Sequence, residues 1–311
     1  MPPPLDAVSV VVVNHDGAEV LELLLESLAA SEHRPLEVIV VDNASTDGSV
    51  ALLAARADVH LVSSPVNLGF GRGCNLGAQH ARGDLLLFAN PDLLVEPDTV
   101  GALVRGLRRT PDAAVACATL LEPGYDRHVK EPRSQETAAM AAALMLVDAA
   151  HFARIGGFDP WMFLYWEDTE LCYRSWLAGR KVLKVWDAVA VHELGGTGGG
   201  HRFSGEQIKN GLYTHLKTRA WRAVLLFGGR MAAKTVIRGI GRRDPGVLRA
   251  WTVNAGDLRS TLAKRRAVRG AATPEDRARL ERLGGEHAYW TRRAWLKAAL
   301  RSLRTRLASS R

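Results

Sequence analysis

Val8–Asn14 reads VSVVVVN, and Val38–Ser49 reads VIVVDNASTDGS. Each is a β-branched run ending on polar side chains: Asn14 in the first, Asp42 and Asn43 in the second. Between them Val20, Leu21, Leu24, Leu25 and Leu28 recur at helical spacing. The pattern is a β-α-β unit whose strands are apolar on both faces, as strands of a covered parallel sheet are. In open α/β sheets ligands bind where such strands end. The first turn has no glycine-rich phosphate loop, whereas a carboxylate closes the second strand. The edge therefore suits a nucleotide held by its base.

Working outward, further segments continue the alternation. A strand over Val8–Val13 precedes a helix near Gly17–Ala30. A strand over Leu36–Val41 precedes a helix near Gly48–Ala55. Val59–Val62 is a third strand, and a glycine-rich loop leads to a helix near Gly71–His80. Leu85–Phe88 is a fourth strand, and Glu96-Pro97-Asp98 opens a helix, with proline and an acid at its start. Val115–Thr119 reads as a strand, Gly124–Thr137 as polar and irregular, and Val182–Val191 as a last strand ending at His192. The glycine-rich stretch Gly195–Gly200 follows. Beyond Ser204 the chain reads as basic helices with breaks at Gly228-Gly229, Gly239–Gly246 and Gly284-Gly285.

A chain of 311 residues, 47% hydrophobic and 24% charged, has material for a large core and is not disordered as a whole. Cys74, Cys117 and Cys172 lack metal-site spacing, and their odd number suits buried thiols in a reducing compartment. Val8–Val13 is too short for a signal peptide, and no run reaches the ~18 apolar residues of a membrane span. The net charge of +8 is unevenly divided. Met1–Leu216 has 17 basic against 27 acidic residues; Lys217–Arg311 has 24 against 6. The expected division is a catalytic domain over 1–216 and a basic helical region over 217–311.

Four clusters at strand ends carry candidate chemistry. Asp42 either caps the following helix or accepts the imide N–H of uracil or thymine. Asn67-Leu68-Gly69-Phe70-Gly71-Arg72-Gly73 joins a strand to a helix. Its glycines admit a close backbone approach, the helix start offers N–H groups to an anion, and Arg72 faces either a diphosphate or solvent. Asn90-Pro91-Asp92 is either a plain turn or a carboxylate placed for a hard divalent cation. Trp166-Glu167-Asp168-Thr169-Glu170 follows Trp161, Phe163 and Tyr165. On a helix Glu167 and Glu170 share a face, and a carboxylate against aromatics suits a general base. The aromatics offer a platform for a sugar ring. His192 is placed to complete a cation's coordination or to serve the fold.

In order and spacing, VVVVNHDG, VIVVDNASTDGS, NLGFGRGCNLG, LLLFANPDLLV, IGGFDPWMFLYWEDTELCYR and VHELGG resemble family-2 glycosyltransferases of the rhamnosyltransferase-like branch. The resemblance spans roughly Val8–Gly196. It implies a GT-A fold, an α/β Rossmann-like mixed sheet flanked by helices. It also implies inverting transfer of a sugar from a nucleotide-diphosphate donor. On the matching positions Asp42 would read the base, Asp92 would hold Mg²⁺ or Mn²⁺ with help from His192, and Asp168 would deprotonate the acceptor, with Glu167 beside it. The candidate donor-binding set is Asn14, Asp42, Asn43, Asn67, Gly69, Gly71, Arg72, Asn75 and Asn90. The candidate acceptor-binding set is Trp161, Tyr165, Trp166 and Glu170. Asn90 stands where the family commonly has the first acid of Asp-x-Asp, which favours a dTDP-rhamnose donor and leaves UDP-sugars open. The segment Ala141–Asp148 lacks the basic residue the family often carries there.

Trp221, Leu225, Leu226, Phe227, Trp251, Trp290 and Trp295 interleave with Arg and Lys. That pattern suits an anionic membrane surface, an oligomer contact or a solvated appendage; charge alone would also allow nucleic acid, which a sugar-transfer body disfavours. The expected acceptor is a saccharide, free or linked to polyprenyl diphosphate, with the protein peripheral on the cytoplasmic face of the membrane. A nucleotidyltransferase would need a basic phosphate loop where Asn14-His15-Asp16-Gly17 stands. A catalytically dead sugar-nucleotide-binding module is the non-enzyme alternative, which Asp92 and Glu167-Asp168 argue against.

Overall fold

The computed structural model describes residues 6–122, 132–140, 143–192, 204–236 and 245–285. The expected β-α-β opening is present: β1 (Val8–Asn14), α1 (Ala18–Ala29), β2 (Leu36–Asn43), α2 (Ser49–Ala54), β3 (Val59–Ser64), α3 (Phe70–Ala78) and β4 (Leu85–Ala89). These four strands are parallel in the order β3-β2-β1-β4, and Asn14 pairs in register with Asp42. Side chains alternate across β1. Val8, Val10 and Val12 enter one core with Leu21, Leu24, Leu25 and Leu28, while Val11 and Val13 enter another with Phe88, Phe158 and Trp176. A strand buried on both faces cannot show polar alternation, which is why β1 holds the unbroken run Val10–Val13.

The second half departs from simple alternation. β5 (Leu93–Val95), α4 (Thr99–Arg109), β6 (Ala113–Leu121), β7 (Ser134–Glu136), β8 (Leu144–Asp148), α5 (Ala149–Arg154), α6 (Glu167–Leu177) and β9 (Lys181–His192) complete a mixed sheet. β8 inserts antiparallel between β4 and β6, β9 runs parallel to β6, and β5 pairs antiparallel with β9. The β5–β9 pairing sets Leu93 opposite His192, so the end of β9 lies beside the turn that follows β4.

Helices α7 (Ser204–Thr218), α8 (Trp221–Thr235), α9 (Pro245–Gly256) and α10 (Leu258–Ala271) follow, then helical residues 274–285. α7 runs through the boundary expected after Leu216, so the basic region does not begin as a separate appendage. Among the described residues no helix is long and apolar enough to cross a membrane. The expected features at Gly195–Gly200, Trp290 and Trp295 lie outside the described residues, as do most of Gly124–Thr137 and of the Gly239–Gly246 break.

A buried charge cluster fastens α7 to the sheet domain. Lys217 Nζ lies 2.6 Å from both Asp159 Oδ2 and Glu170 Oε1, and the Arg174 Nε donates to Glu170 at 2.7 Å. Burial alone would raise the Asp159 carboxyl. The Lys217 ammonium, with hydrogen bonds from Lys217 and Tyr213, outweighs it and holds the group well below the usual carboxylate range. Removing one partner of a buried pair strands the opposite charge at a cost of about 3–5 kcal/mol. Lys217→Met is expected to lower unfolding stability by that order in urea titration. An unchanged midpoint would show that the cluster does not hold α7.

Candidate active site

Asp42 and Asn43 end β2, and a single turn carries each to a different task. The Ser45 N–H donates to Asp42 Oδ2 at 3.2 Å, leaving Oδ1 without a partner. Asn43 spans to the glycine-rich loop, donating to Asn67 Oδ1 at 2.9 Å and accepting from the Leu68 N–H at 2.8 Å. It sets that loop rather than opening toward a ligand. Arg72 folds back, its Nε donating to the Leu68 carbonyl at 2.8 Å. Asn14 is fully buried, and its amide donates to Ser45.

The loop glycines serve a purpose other than the expected one. Gly69 has φ +77, and a Cβ there would stand 2.0 Å from the Phe163 carbonyl oxygen, the acceptor of the Phe70 N–H. At Gly71 a Cβ would meet Phe158 at 3.1 Å and Glu167 at 3.5 Å. The close approaches at these two positions are thus to protein, and they seat the start of α6 against the start of α3. Asn75 is likewise taken up structurally, which corrects its expected donor contact. It accepts from the Phe158 N–H and donates to the Phe158 carbonyl, both at 2.9 Å.

Tyr165 and Trp166 have φ of 71 and 74 immediately before α6. Two consecutive non-glycine residues in the left-handed region cost on the order of 1–3 kcal/mol each and persist only where the surroundings impose them. Asn210 on α7 supplies that restraint: its amide donates to the Leu164 and Tyr165 carbonyls, both at 2.9 Å. The Trp166 ring packs edge-on against His215 and Phe227, each with centroids 5.4 Å away. Nothing in the local sequence around Asn210 signals this role, because its partners lie some 45 residues upstream.

This turn delivers Glu167 and Asp168 on the first turn of α6. Glu167 is 6% exposed with Oε2 unpartnered, while Asp168 is half-buried. Burial first, and the Asp168 charge second, push the Glu167 carboxyl well above the usual carboxylate range. Two acceptor expectations are corrected. Glu170 is fully buried and paired with Arg174 and Lys217, so it cannot meet a sugar. Trp161 stacks on Tyr213 at 4.1 Å and its Nε1 donates to Asp257, so its ring fastens the later helices instead of offering a platform. Tyr165 stays half-buried next to Glu167, and burial first, then the Glu167 carboxylate, raises the phenol.

Across the sheet edge, Asp92 Oδ1 and His192 Nε2 stand 3.2 Å apart, yet neither has the alignment of a hydrogen bond. The contact with Asp92 raises the imidazole pKa against the opposing effect of burial. One carboxylate oxygen and one imidazole nitrogen, both buried and converging, are a donor pair that fits Mg²⁺ or Mn²⁺ completed by phosphate oxygens and water. Among the described residues no cluster of three or more His, Cys, Asp or Glu is placed for a metal. Asn90 follows β4, its N–H donating to the Ala143 carbonyl at 2.8 Å.

Among the described residues, ten buried side-chain polar atoms lack a hydrogen-bond partner. Five belong to expected site residues: Asn14 Oδ1, Asp42 Oδ1, Asp92 Oδ1, Glu167 Oε2 and His192 Nε2. Each such group costs about 1–3 kcal/mol, and native folds retain few without a reason. Their strands and loops end on the same edge of the sheet, which is what binding a polar, multiply charged ligand requires.

The model of glycosyl transferase family 2 matches residues 9–186. An N-acetylglucosaminyl-diphospho-decaprenol L-rhamnosyltransferase of Mycobacterium tuberculosis is 26% identical over 233 residues, covering 60% of this chain and 76% of the relative. A structure of Staphylococcus aureus TarS 1–349 with UDP-GlcNAc superposes with a TM-score of 0.60 at 17% identity, over 78% of this chain and 79% of that one. The mannosyltransferase PcManGT of Pyrobaculum calidifontis, in complex with GDP-Man and Mn²⁺, gives 0.55 at 17% identity over 87% of each chain. The fold is of the GT-A type.

The buried Glu167 makes a pH-dependent test. Its folded-state pKa lies above the ordinary 4.5, so the folded chain holds a proton that the unfolded chain releases. Stability therefore falls as pH rises from 4.5 through the raised value. Glu167→Gln, neutral throughout, is expected to gain stability relative to the parent between pH 5 and pH 8 in thermal melts. Parallel pH profiles would contradict the assignment.

Proposed function

From the chain's membership of glycosyl transferase family 2, we propose that it is an inverting, metal-dependent rhamnosyltransferase using dTDP-rhamnose. The acceptor is a saccharide linked to polyprenyl diphosphate, and the product enters cell-wall or surface polysaccharide. The observation that carries the reading is the set of buried polar atoms on Asn14, Asp42, Asp92, Glu167 and His192 that lack a hydrogen-bond partner among the described residues, all at one sheet edge. The rhamnosyl donor is supported by Asn90 in place of an acid, by Asp42 as acceptor for a thymine imide, and by the mycobacterial relative. That relative's name also supports the lipid-linked acceptor.

In this reading Asp42 Oδ1 accepts the imide N–H of the base. Asp92 and His192 would hold Mg²⁺ or Mn²⁺, which when bound neutralises charge on the departing nucleoside diphosphate. Asp168 takes the proton from the acceptor hydroxyl as that oxygen bonds to the anomeric carbon and the bond to the diphosphate breaks on the opposite face. Glu167, kept neutral by its burial, acts as a hydrogen-bond donor beside the base instead of a second anion.

The protein works at the cytoplasmic face of a membrane. α8 supports this, since Trp221, Leu225 and Leu226 expose apolar surface beside Arg222 and Arg230.

General-base assistance is typically worth about 10²–10⁴-fold. Asp168→Asn is expected to lower transfer by that order while leaving donor binding intact. Binding is read as the thermal shift from dTDP-rhamnose with Mn²⁺, since a ligand of the folded state raises Tm. Near-normal turnover in the variant would move the base to Glu167, and a larger shift from UDP-sugars than from dTDP-rhamnose would replace the donor.

A further inference from the structure

A second concave site lies away from the sheet edge. The start of α8 faces α10 and helical residues 274–285 across a cleft of about 490 Å³, lined chiefly by Trp221, Leu262, Arg265, Arg266, Arg269 and Arg277. Among the described residues none that line it is acidic. Arg265 lies 4.3 Å over the Trp221 ring, and its Nη1 donates to the Leu216 and Arg219 carbonyls at 2.6 and 2.7 Å. Arg269 donates to the Thr218 carbonyl at 2.6 Å, and Arg277 donates to the Arg269 carbonyl at 3.0 Å. Backbone carbonyls fix these guanidinium groups in place without neutralising them. The carboxylate beside them, Glu281, is divided between Arg219 at 3.1 Å, Arg269 at 3.2 Å and the Ala220 N–H. Burial, then the Arg269 charge, lower the Arg265 pKa against the opposing charge of Glu281.

We propose that this cleft binds the diphosphate of an isoprenoid-linked acceptor, with the exposed face of α8 lying against the isoprenoid chain. The proposal deepens the lipid-linked acceptor reading given above and rests on it. Four guanidinium groups around one space, offset by a single shared carboxylate, match a group carrying two or more negative charges better than the single charge of a phospholipid diester. Planar guanidinium forks pair with phosphate oxygens in a way that a diffuse basic surface does not. Apolar surface adjoins the cleft: Leu225 is 73% exposed and lies one helical turn past Trp221. α8 then carries Phe227 against Trp166 at the start of α6. Six residues of helix separate Trp221 from Phe227, about 9 Å of rise. The headgroup cleft thus lies on the helix that also walls the Glu167–Asp168 turn.

The test is calorimetric titration of the full-length protein with farnesyl diphosphate, a soluble isoprenoid diphosphate, against the Arg266→Glu/Arg277→Glu variant. Neither side chain is needed to cap a helix of the sheet domain, and nucleotide-sugar thermal shifts are expected to be equal in both proteins. The expected result is one-to-one binding by the parent and at least tenfold weaker binding by the variant. If the double glutamate variant does not fold, Arg266→Gln/Arg277→Gln is expected to show the same direction with a smaller loss. Equal affinity in parent and folded variant would overturn the proposal. Inorganic diphosphate binding as tightly as farnesyl diphosphate would make this a free-anion site, and effective competition by phosphatidylglycerol vesicles would make it a general lipid surface; either also overturns it. The titration involves no sugar transfer, so a failure of the transferase reading leaves its result intact and separately readable.

Discussion

The arrangement of this protein depends on the buried cluster of Asp159, Glu170, Arg174 and Lys217. Two carboxylates and two cations, all close to fully buried, join three pieces of chain. Arg174 extends the cluster by donating to the Ile155 and Gly157 carbonyls, both at 2.6 Å, which closes the loop before Phe158. Lys264 adds a contact to Asp159 at 3.5 Å from α10. A buried ion cluster is a weak source of net stability, because desolvation offsets most of its attraction. Its consequence is geometric: α6 has one permitted position relative to α7, so Glu167 and Asp168 have one permitted position relative to the sheet edge.

That constraint explains how the strained turn before α6 survives. Left-handed Tyr165 and Trp166 would relax if the chain beyond them were free to move. α7 prevents it through Asn210, and α8 through Phe227, which stacks on His215 at 3.9 Å. Burial pushes His215 down to about 3, so this contact brings no charge next to Trp166 at neutral pH. The later helices therefore act as the mould of the turn that leads into α6.

The strand ends were readable in the sequence because a valine run that stops on Asn14 or Asp42 marks both a buried strand and its edge. β8 was harder: LMLVD is as apolar as a helix segment, and its antiparallel insertion is decided by β4 and β6 from distant parts of the chain. β5, at three residues, carries too little pattern to register. The acids of α6 looked alike in sequence, yet they divide by environment. Glu170 meets Lys217, 47 positions downstream, and becomes structural, while Glu167 Oε2 has no hydrogen-bond partner among the described residues. Trp161 and Asn75 take structural partners for the same reason, since Tyr213 and Phe158 are spatial neighbours that no local spacing announces.

The adjacency of Glu167 and Asp168 has a physical logic of its own. Successive residues on a helix point about 100° apart, so neighbouring acids reach different surroundings from one backbone anchor. Glu167 turns into the contact between α6 and α3, beside Gly71, and loses its water. Asp168 keeps partial access to solvent. Desolvation first, and the Asp168 charge second, act on the more buried of the two and raise the Glu167 carboxyl above the usual carboxylate range. The packing of α6 against its neighbours thereby distinguishes two residues that differ by a single methylene.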